Sequence, residues 1–168
     1  MMDFPLLSVL ILLPIIGGAA LLLCKQNNKL ARQLALLVSV ATMLLSFLLY
    51  IGFDSTTHQM QFVERLSWVA TFNIEYYLGV DGFSMPLMIL TTISTVLVVI
   101  AGWQVIEDRA AQYMSAFLIM EGLMLGVFAA LDAILFYLFF EAMLIPLFLV
   151  IGIWGGPNRV YATIRFFL

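Results

Sequence analysis

Five apolar runs, each near the length of one bilayer crossing and joined by short polar links, constrain this chain more than any other feature. A hydrocarbon core about 30 Å thick takes about 20 apolar residues per helical crossing. The runs are Leu6 to Cys24, Leu34 to Tyr50, Phe83 to Trp103, Tyr113 to Leu131 and Ile134 to Trp154. Charged residues make up 10% of the 168 residues, against about 25% in soluble domains. That is too few to cover a folded chain in water. The pattern predicts an all-α integral membrane protein, one membrane domain over residues 1–168. Its helices fall at about 6–24, 34–50, 83–103, 113–131 and 134–154, with a sixth from about 161 that reads as a span cut off as it begins.

Several function classes are excluded by what is missing. The net charge is −3 and no basic run occurs, so nothing points to nucleic acid. Cys24 is the only cysteine, so no internal disulfide, zinc or iron–sulfur spacing exists. There is no glycine-rich nucleotide-binding pattern. The first charge is Asp3 rather than a basic n-region, so Leu6 to Cys24 reads as a retained helix and not a cleaved signal.

The links carry information of their own. Residues 51–80 form the longest polar connection. At its end Phe72, Ile74, Tyr76, Leu78 and Val80 alternate with more polar neighbours, a period-two signal for a hairpin or extended segment on the membrane surface. Asp81-Gly82 turns the chain into the third span. Ser39, Thr42, Ser46 and Tyr50 fall at helical spacing on the second span, a helix-contact stripe. Ser84, Thr91 and Thr95 share a face of the third. If the spans alternate, Lys25, Lys29, Arg32, Arg109, Arg159 and Arg165 lie on one side and only Arg65 on the other. Cytoplasmic loops are enriched in Lys and Arg, so the N-terminus and the 51–80 loop are expected outside the cytoplasm.

Two carboxylates stand inside spans. Glu121 is near the middle of the fourth and Glu141 is within the fifth. A charge at mid-helix costs about 2.5–3.5 kcal/mol on insertion scales, so each asks for a reason. One reading is a neutral or paired structural residue. The other is a proton relay, because a carboxyl whose cationic partner approaches and withdraws takes up and releases a proton. No Lys or Arg in these spans can be that partner, which places it on another subunit or on further chain. Tyr137 lies four residues before Glu141, on the same face, as a supporting hydroxyl. Pro146 removes a backbone donor, which can break the helix near the carboxylate. Phe117, Glu121, Leu125, Phe128 and Asp132 form a stripe, with Asp132 interfacial. His58 is a solvated loop residue.

Phe136-Tyr-Leu-Phe-Phe-Glu141-Ala-Met-Leu-Ile-Pro146, followed by Ile151-Gly-Ile-Trp-Gly-Gly156, closely resembles the antiporter-like M subunit family of bacterial respiratory complex I. The mitochondrial counterpart is subunit 4 of NADH dehydrogenase. Leu13-Pro-Ile-Ile-Gly-Gly18, Leu78-Gly-Val-Asp-Gly-Phe-Ser84 and Glu121-Gly-Leu-Met-Leu-Gly-Val-Phe128 resemble the same family, and residues 25–65 do so weakly. Family members are longer, and this chain is similar to their first five spans and the start of a sixth.

The resemblance implies that Glu141 is the family's key glutamate, with its lysine partner in a later span. It also implies a proton-translocating membrane-arm subunit of NADH:quinone oxidoreductase, multi-pass in the bacterial inner membrane. Such a subunit holds no redox cofactor or metal. Flavin, iron–sulfur clusters and quinone belong to other subunits, and the partners are other membrane subunits of the complex and lipid. The rival readings are a subunit of a multisubunit cation/proton antiporter or membrane-bound hydrogenase, and a structural membrane subunit without transport.

Overall fold

The computed structural model describes residues 4–24 and 27–168. Asp3 and Lys25, used above for the signal and topology arguments, lie outside the described residues. The elements are α1 (Leu6–Leu21), α2 (Asn28–Gly52), β1 (Gln61–Val69), β2 (Ile74–Val80), α3 (Ser84–Val105), α4 (Ala110–Ala129), α5 (Ala133–Trp154) and α6 (Arg159–Phe167). Helices α2 to α5 are each long and apolar enough to cross a membrane. With 16 residues, α1 is shorter. It reaches about 24 Å at 1.5 Å per residue, and the 3₁₀ turn Leu22–Cys24 extends it to about 30 Å at about 2 Å per residue.

Helix beginnings follow their caps. α2 starts at Asn28, six residues before the apolar run, because the Asn27 side chain accepts from the Leu30 amide. Its first turns, with Lys29 and Arg32, are helical but polar. Asp81 Oδ1 accepts from the Phe83 and Ser84 amides, and Ser84 Oγ accepts from the Asp81 amide. That exchange turns the chain into α3 and holds the Asp81 carboxyl below its ordinary range. Asp132 is not on α4, as the stripe from Phe117 assumed. α4 ends at Ala129, and Asp132 caps α5 by accepting from Ile134 (2.9 Å) and Leu135 (3.0 Å). Its carboxyl is likewise lowered, first by the Leu135 amide.

The helices alternate in direction. Ser46 meets Thr92 and Arg32 reaches the Ile106 carbonyl, so α2 and α3 are antiparallel. Along α1 and α4, Ile11 lies opposite Gly122 and Gly18 opposite Ser115. The α1–α4 crossing is backbone against backbone. A Cβ on Gly122 would stand 2.5 Å from the Ile11 carbonyl oxygen, and one on Gly18 would stand 2.9 Å from that of Ser115. Small residues let helix backbones meet where no hydrophobic force draws them together, and Ser115 Oγ adds a bond to the Gly18 carbonyl at 2.7 Å.

One end of the bundle gathers the basic residues. Its Ile106–Arg109 link is held by Arg32 to the Ile106 carbonyl, Asn28 to that of Glu107 and the Trp154 indole to that of Asp108. Arg109 takes a left-handed conformation (φ 52°) to start α4. The opposite end carries the hairpin. β1 and β2 pair antiparallel, Glu64 facing Leu78 and Leu66 facing Tyr76, and the 3₁₀ turn Ala70–Phe72 joins them. Phe72 therefore belongs to the turn rather than to the alternating strand, and it is exposed. Leu78 and Val80 are fully buried against the helices. The Leu131 amide donates to the Tyr77 carbonyl, stitching the α4–α5 link onto β2.

The core divides in two. Leu7, Leu10, Leu49, Met88 and Leu125 pack with the hairpin's Leu78 and Val80, and Leu21, Ala31, Val99, Met114 and Leu118 pack toward the basic end. Ser39, Thr42 and Ser46 of α2 are buried as the stripe predicts, but Tyr50 is 67% exposed. α6 begins at Arg159, two residues earlier than the sequence suggests, and returns along α5 through Phe148 against Phe167.

Candidate functional site: two mid-span carboxylates

Glu121 sits on α4 with 2% of its surface accessible. The other buried polar side chains of the spans are hydroxyls, and their partners are close. Ser39, Thr42 and Ser46 donate to carbonyls one turn back, Thr92 meets Ser46 at 2.9 Å, and Ser115 reaches across to α1. Glu121 differs: neither carboxyl oxygen has a hydrogen-bond partner. Most buried polar groups are paired, and an exception calls for an explanation. Glu121 is among the residues beside a groove of about 320 Å³ along the α3–α4 seam, which Thr91, Ser94 and Thr95 also border, but its carboxyl oxygens are themselves buried.

Glu141 is placed differently. It is exposed on the outer face of α5, and no hydrogen bond or ion pair reaches it among the described residues. Tyr137 is also exposed (57%), and its hydroxyl forms no bond to Glu141. Pro146 does not break α5, which runs unbroken from Ala133 to Trp154 with Pro146 buried inside it. Membrane helices accommodate such a residue when neighbouring groups compensate. The two carboxylates thus lie on different helices, Glu121 against α3 and Glu141 on the outer face of α5, and the structure does not bring them together.

Sequence reasoning missed a third carboxylate. Glu64 of β1 accepts hydrogen bonds from the Leu7 amide (2.8 Å), the Ser8 amide and the Ser8 hydroxyl. It caps α1 from 56 residues away. Tyr76 joins through Ser8 Oγ at 3.0 Å, and burial pushes its phenol up, the Ser8 bond opposing. A carboxylate at a helix N-terminus is favourable to both partners. No local signal marks Glu64, because its spacing to Ser8 is set by the hairpin's fold. His58 lies exposed in the loop before β1. Among the described residues, no cluster of His, Cys, Asp and Glu is placed to hold a metal ion.

Apolar antiparallel helices, a hairpin across one end, basic links at the other and carboxylates inside two spans define a polytopic membrane protein of the antiporter-like class. Residues 8–130 match the family described as NADH-ubiquinone oxidoreductase chain 4, amino terminus, and residues 130–168 match NADH:quinone oxidoreductase/Mrp antiporter, TM. The chain belongs to the NADH-ubiquinone oxidoreductase chain 4 family. It is 47% identical over 168 residues to NADH-quinone oxidoreductase subunit M of Rhodobacter capsulatus, covering 97% of this chain and 32% of that one. It is 44% identical to NADH-ubiquinone oxidoreductase chain 4 of Arabidopsis thaliana, covering 96% and 33%. A chain of respiratory complex I from Thermus thermophilus, solved with bound NADH, superimposes with a TM-score of 0.78 at 30% identity, covering 95% of this chain and 32% of that one. The chain spans about a third of the length of the relatives it matches.

Proposed function

We propose that this chain is part of a proton-translocating membrane-arm subunit of NADH:quinone oxidoreductase, with Glu141 as its protonatable relay. The observation that carries the proposal is a carboxylate at mid-span that faces out of the bundle without a counter-charge. Its surroundings are then completed by groups outside these helices. A cation brought close favours the carboxylate, and its withdrawal favours proton uptake. Alternation between the two moves a proton when electron transfer elsewhere drives it. Flavin, iron–sulfur clusters and quinone would belong to other subunits. Tyr137, on the same exposed face, would hold water beside the carboxyl.

The hairpin end would face the positive side of the membrane and the basic end the cytoplasm, with the complex in the bacterial inner membrane. The charge asymmetry supports this: among the described residues, Lys29, Arg32, Arg109 and Arg159 cluster at one end and Arg65 lies alone at the other. A cysteine at position 58 should react with an impermeant maleimide from the periplasmic side. Reaction from the cytoplasmic side alone would reverse the topology.

The decisive experiment is Glu141→Gln in the assembled complex, reconstituted and assayed for NADH-driven proton pumping. Gln keeps size and hydrogen bonding but cannot exchange a proton. The expected result is loss of most pumping, with Glu141→Asp retaining part. Wild-type pumping by an assembled Glu141→Gln complex refutes the relay. A cation/proton antiporter subunit is the second reading, favoured by the shared family over residues 130–168. It predicts ion exchange that needs no NADH.

A further inference from the structure

Toward the hairpin end α4 and α5 touch: a Cβ on Gly126 would stand 2.7 Å from the Phe139 ring. Toward the basic end they leave a cleft of about 390 Å³ between them, with Leu22, in the 3₁₀ turn after α1, beside it. That volume falls within the range of small-ligand sites, about 300–1,000 Å³. We propose that this cleft binds an anionic phospholipid of the basic-side leaflet, its phosphate between Arg109 and Arg159 and one acyl chain between the helices. The proposal does not rest on proton translocation or on Glu141, which does not line the cleft.

Depth and chemistry carry the assignment. From Arg109 to Ile119 on α4, and from Trp154 back to Ile145 on α5, the cleft runs about 15 Å at 1.5 Å per residue. A hydrocarbon core about 30 Å thick gives each leaflet the same depth. The lining changes in the order that a phospholipid does. Its inner walls are Ala116 and Ile119 on α4 and Ile145 and Leu149 on α5, each pair at helical spacing on one face. One turn from the mouth stands Gln112, whose amide N–H is a donor at the depth of an acyl ester. At the mouth are Arg109 and Trp154. A second concavity, of about 570 Å³, adjoins there through Arg109, Ile153 and Trp154 and adds Arg159. The Arg109 side chain makes no hydrogen bond or ion pair among the described residues, and Arg159 donates to the Ile153 carbonyl at 2.7 Å with its other nitrogens left over. Asp108 also borders the concavity, but two guanidinium groups against one carboxylate leave it net positive. The Trp154 indole is pinned by the Asp108 carbonyl at 3.1 Å, at the level where aromatic side chains meet headgroups. Guanidinium groups bind phosphate oxygens through paired N–H donors, and basic pockets between membrane helices hold anionic headgroups. An apolar helix packed into the cleft would leave the arginines and Gln112 without acceptors.

Photolabelling tests the site in the unmutated, assembled complex. The complex is reconstituted in phosphatidylcholine vesicles with a trace of phosphatidylglycerol carrying a diazirine in one acyl chain. Adducts are mapped by peptide mass spectrometry after irradiation, and a phosphatidylcholine probe with the same chain gives the neutral comparison. The expected result is adducts on residues 116–119 and 145–149 from the phosphatidylglycerol probe, several-fold above the neutral one. Unlabelled phosphatidylglycerol should displace the probe, and inorganic phosphate should not. Arg109→Gln and Arg159→Gln should each lower the labelling by about fivefold, whereas Arg109→Lys keeps the charge and should retain most of it. Absence of adducts in the cleft while other spans of the complex are labelled overturns the proposal, as with a helix of further chain filling it. Equal labelling by both probes overturns it too, because the cleft then takes any lipid nearby. Displacement by inorganic phosphate overturns it in favour of a free-anion site. The probe comparison and the competition use unmutated protein, so they decide the matter even if an arginine variant fails to assemble. No reading needs pumping, so this result and that of Glu141→Gln stand or fall separately.

Discussion

α4 and α5 follow one another in the chain, are similarly long, and each carries one glutamate, yet they are used in opposite ways. Half of α4's most apolar stretch is buried within the bundle, against 11% for α5. α4 is gripped by α1 through Gly122 and by α3 along the groove, and its glutamate is enclosed. α5 leaves most of its surface uncovered, and its glutamate is presented outward. The local sequence around each carboxylate is complete, but only Glu121 has its environment built by this chain. Glu141 is a half-site whose chemistry depends on what packs against α5.

The largest expected effect separates the two glutamates. Glu141→Gln should remove most NADH-driven proton pumping from the assembled complex, at least tenfold, while Glu121→Gln leaves a measurable fraction. Equal losses would erase the distinction between a half-site completed by partners and a site enclosed within one bundle. Next comes packing. Gly122→Val on α4 forces side-chain atoms against the Ile11 backbone, which cannot swing aside. It should destabilise by about 1–3 kcal/mol or more and lower assembly yield. Leu138→Val, on the uncovered surface of α5, should cost far less within this bundle. If its cost matches that of Gly122→Val in the complete complex, partners on α5 pack as tightly as α1 packs on α4.

The junction between the helices gives a smaller effect. Asp132→Ala removes the cap of α5 and should lower the melting temperature. Asp132 and Asp81 both have folded-state values below the ordinary 3.8. Their contribution is therefore present above about pH 4 and is lost as the pH falls through the lowered folded values. Melting of the parent should drop over that acid range, and Asp132→Ala should flatten part of the drop. The smallest effect belongs to Arg65. Its 2.6 Å partner Glu75 is half-covered, but Arg65 itself is exposed, and Arg65→Ala should leave the melting temperature almost unchanged.

The spans and both mid-span carboxylates were legible because an apolar run of bilayer length has few alternatives, and a carboxyl inside one stands out. Boundaries shifted where caps intervened, as Asn27 extended α2 and Asp132 ended the stripe on α4. Tyr50 was misplaced because helical spacing puts a residue on a face without saying how far the neighbouring helix extends. Whether Pro146 would break α5 was open in the sequence, because a missing donor is a local fact whereas its tolerance depends on the surroundings.

Hydropathy and charge were enough to mark the apolar runs as helices, four of them long enough to cross a membrane, their alternation and the basic end, and period-two alternation marked an extended segment before Asp81. These follow from the cost of exposing backbone and charge to hydrocarbon, which acts on each segment alone. Only the tertiary structure decided that Glu64 caps α1 across 56 residues, that Gly122 seats α1 on α4, and that Glu121 is buried without a partner while Glu141 faces outward. Those outcomes depend on which faces meet, and contact between distant segments leaves no trace in the periodicity of either one.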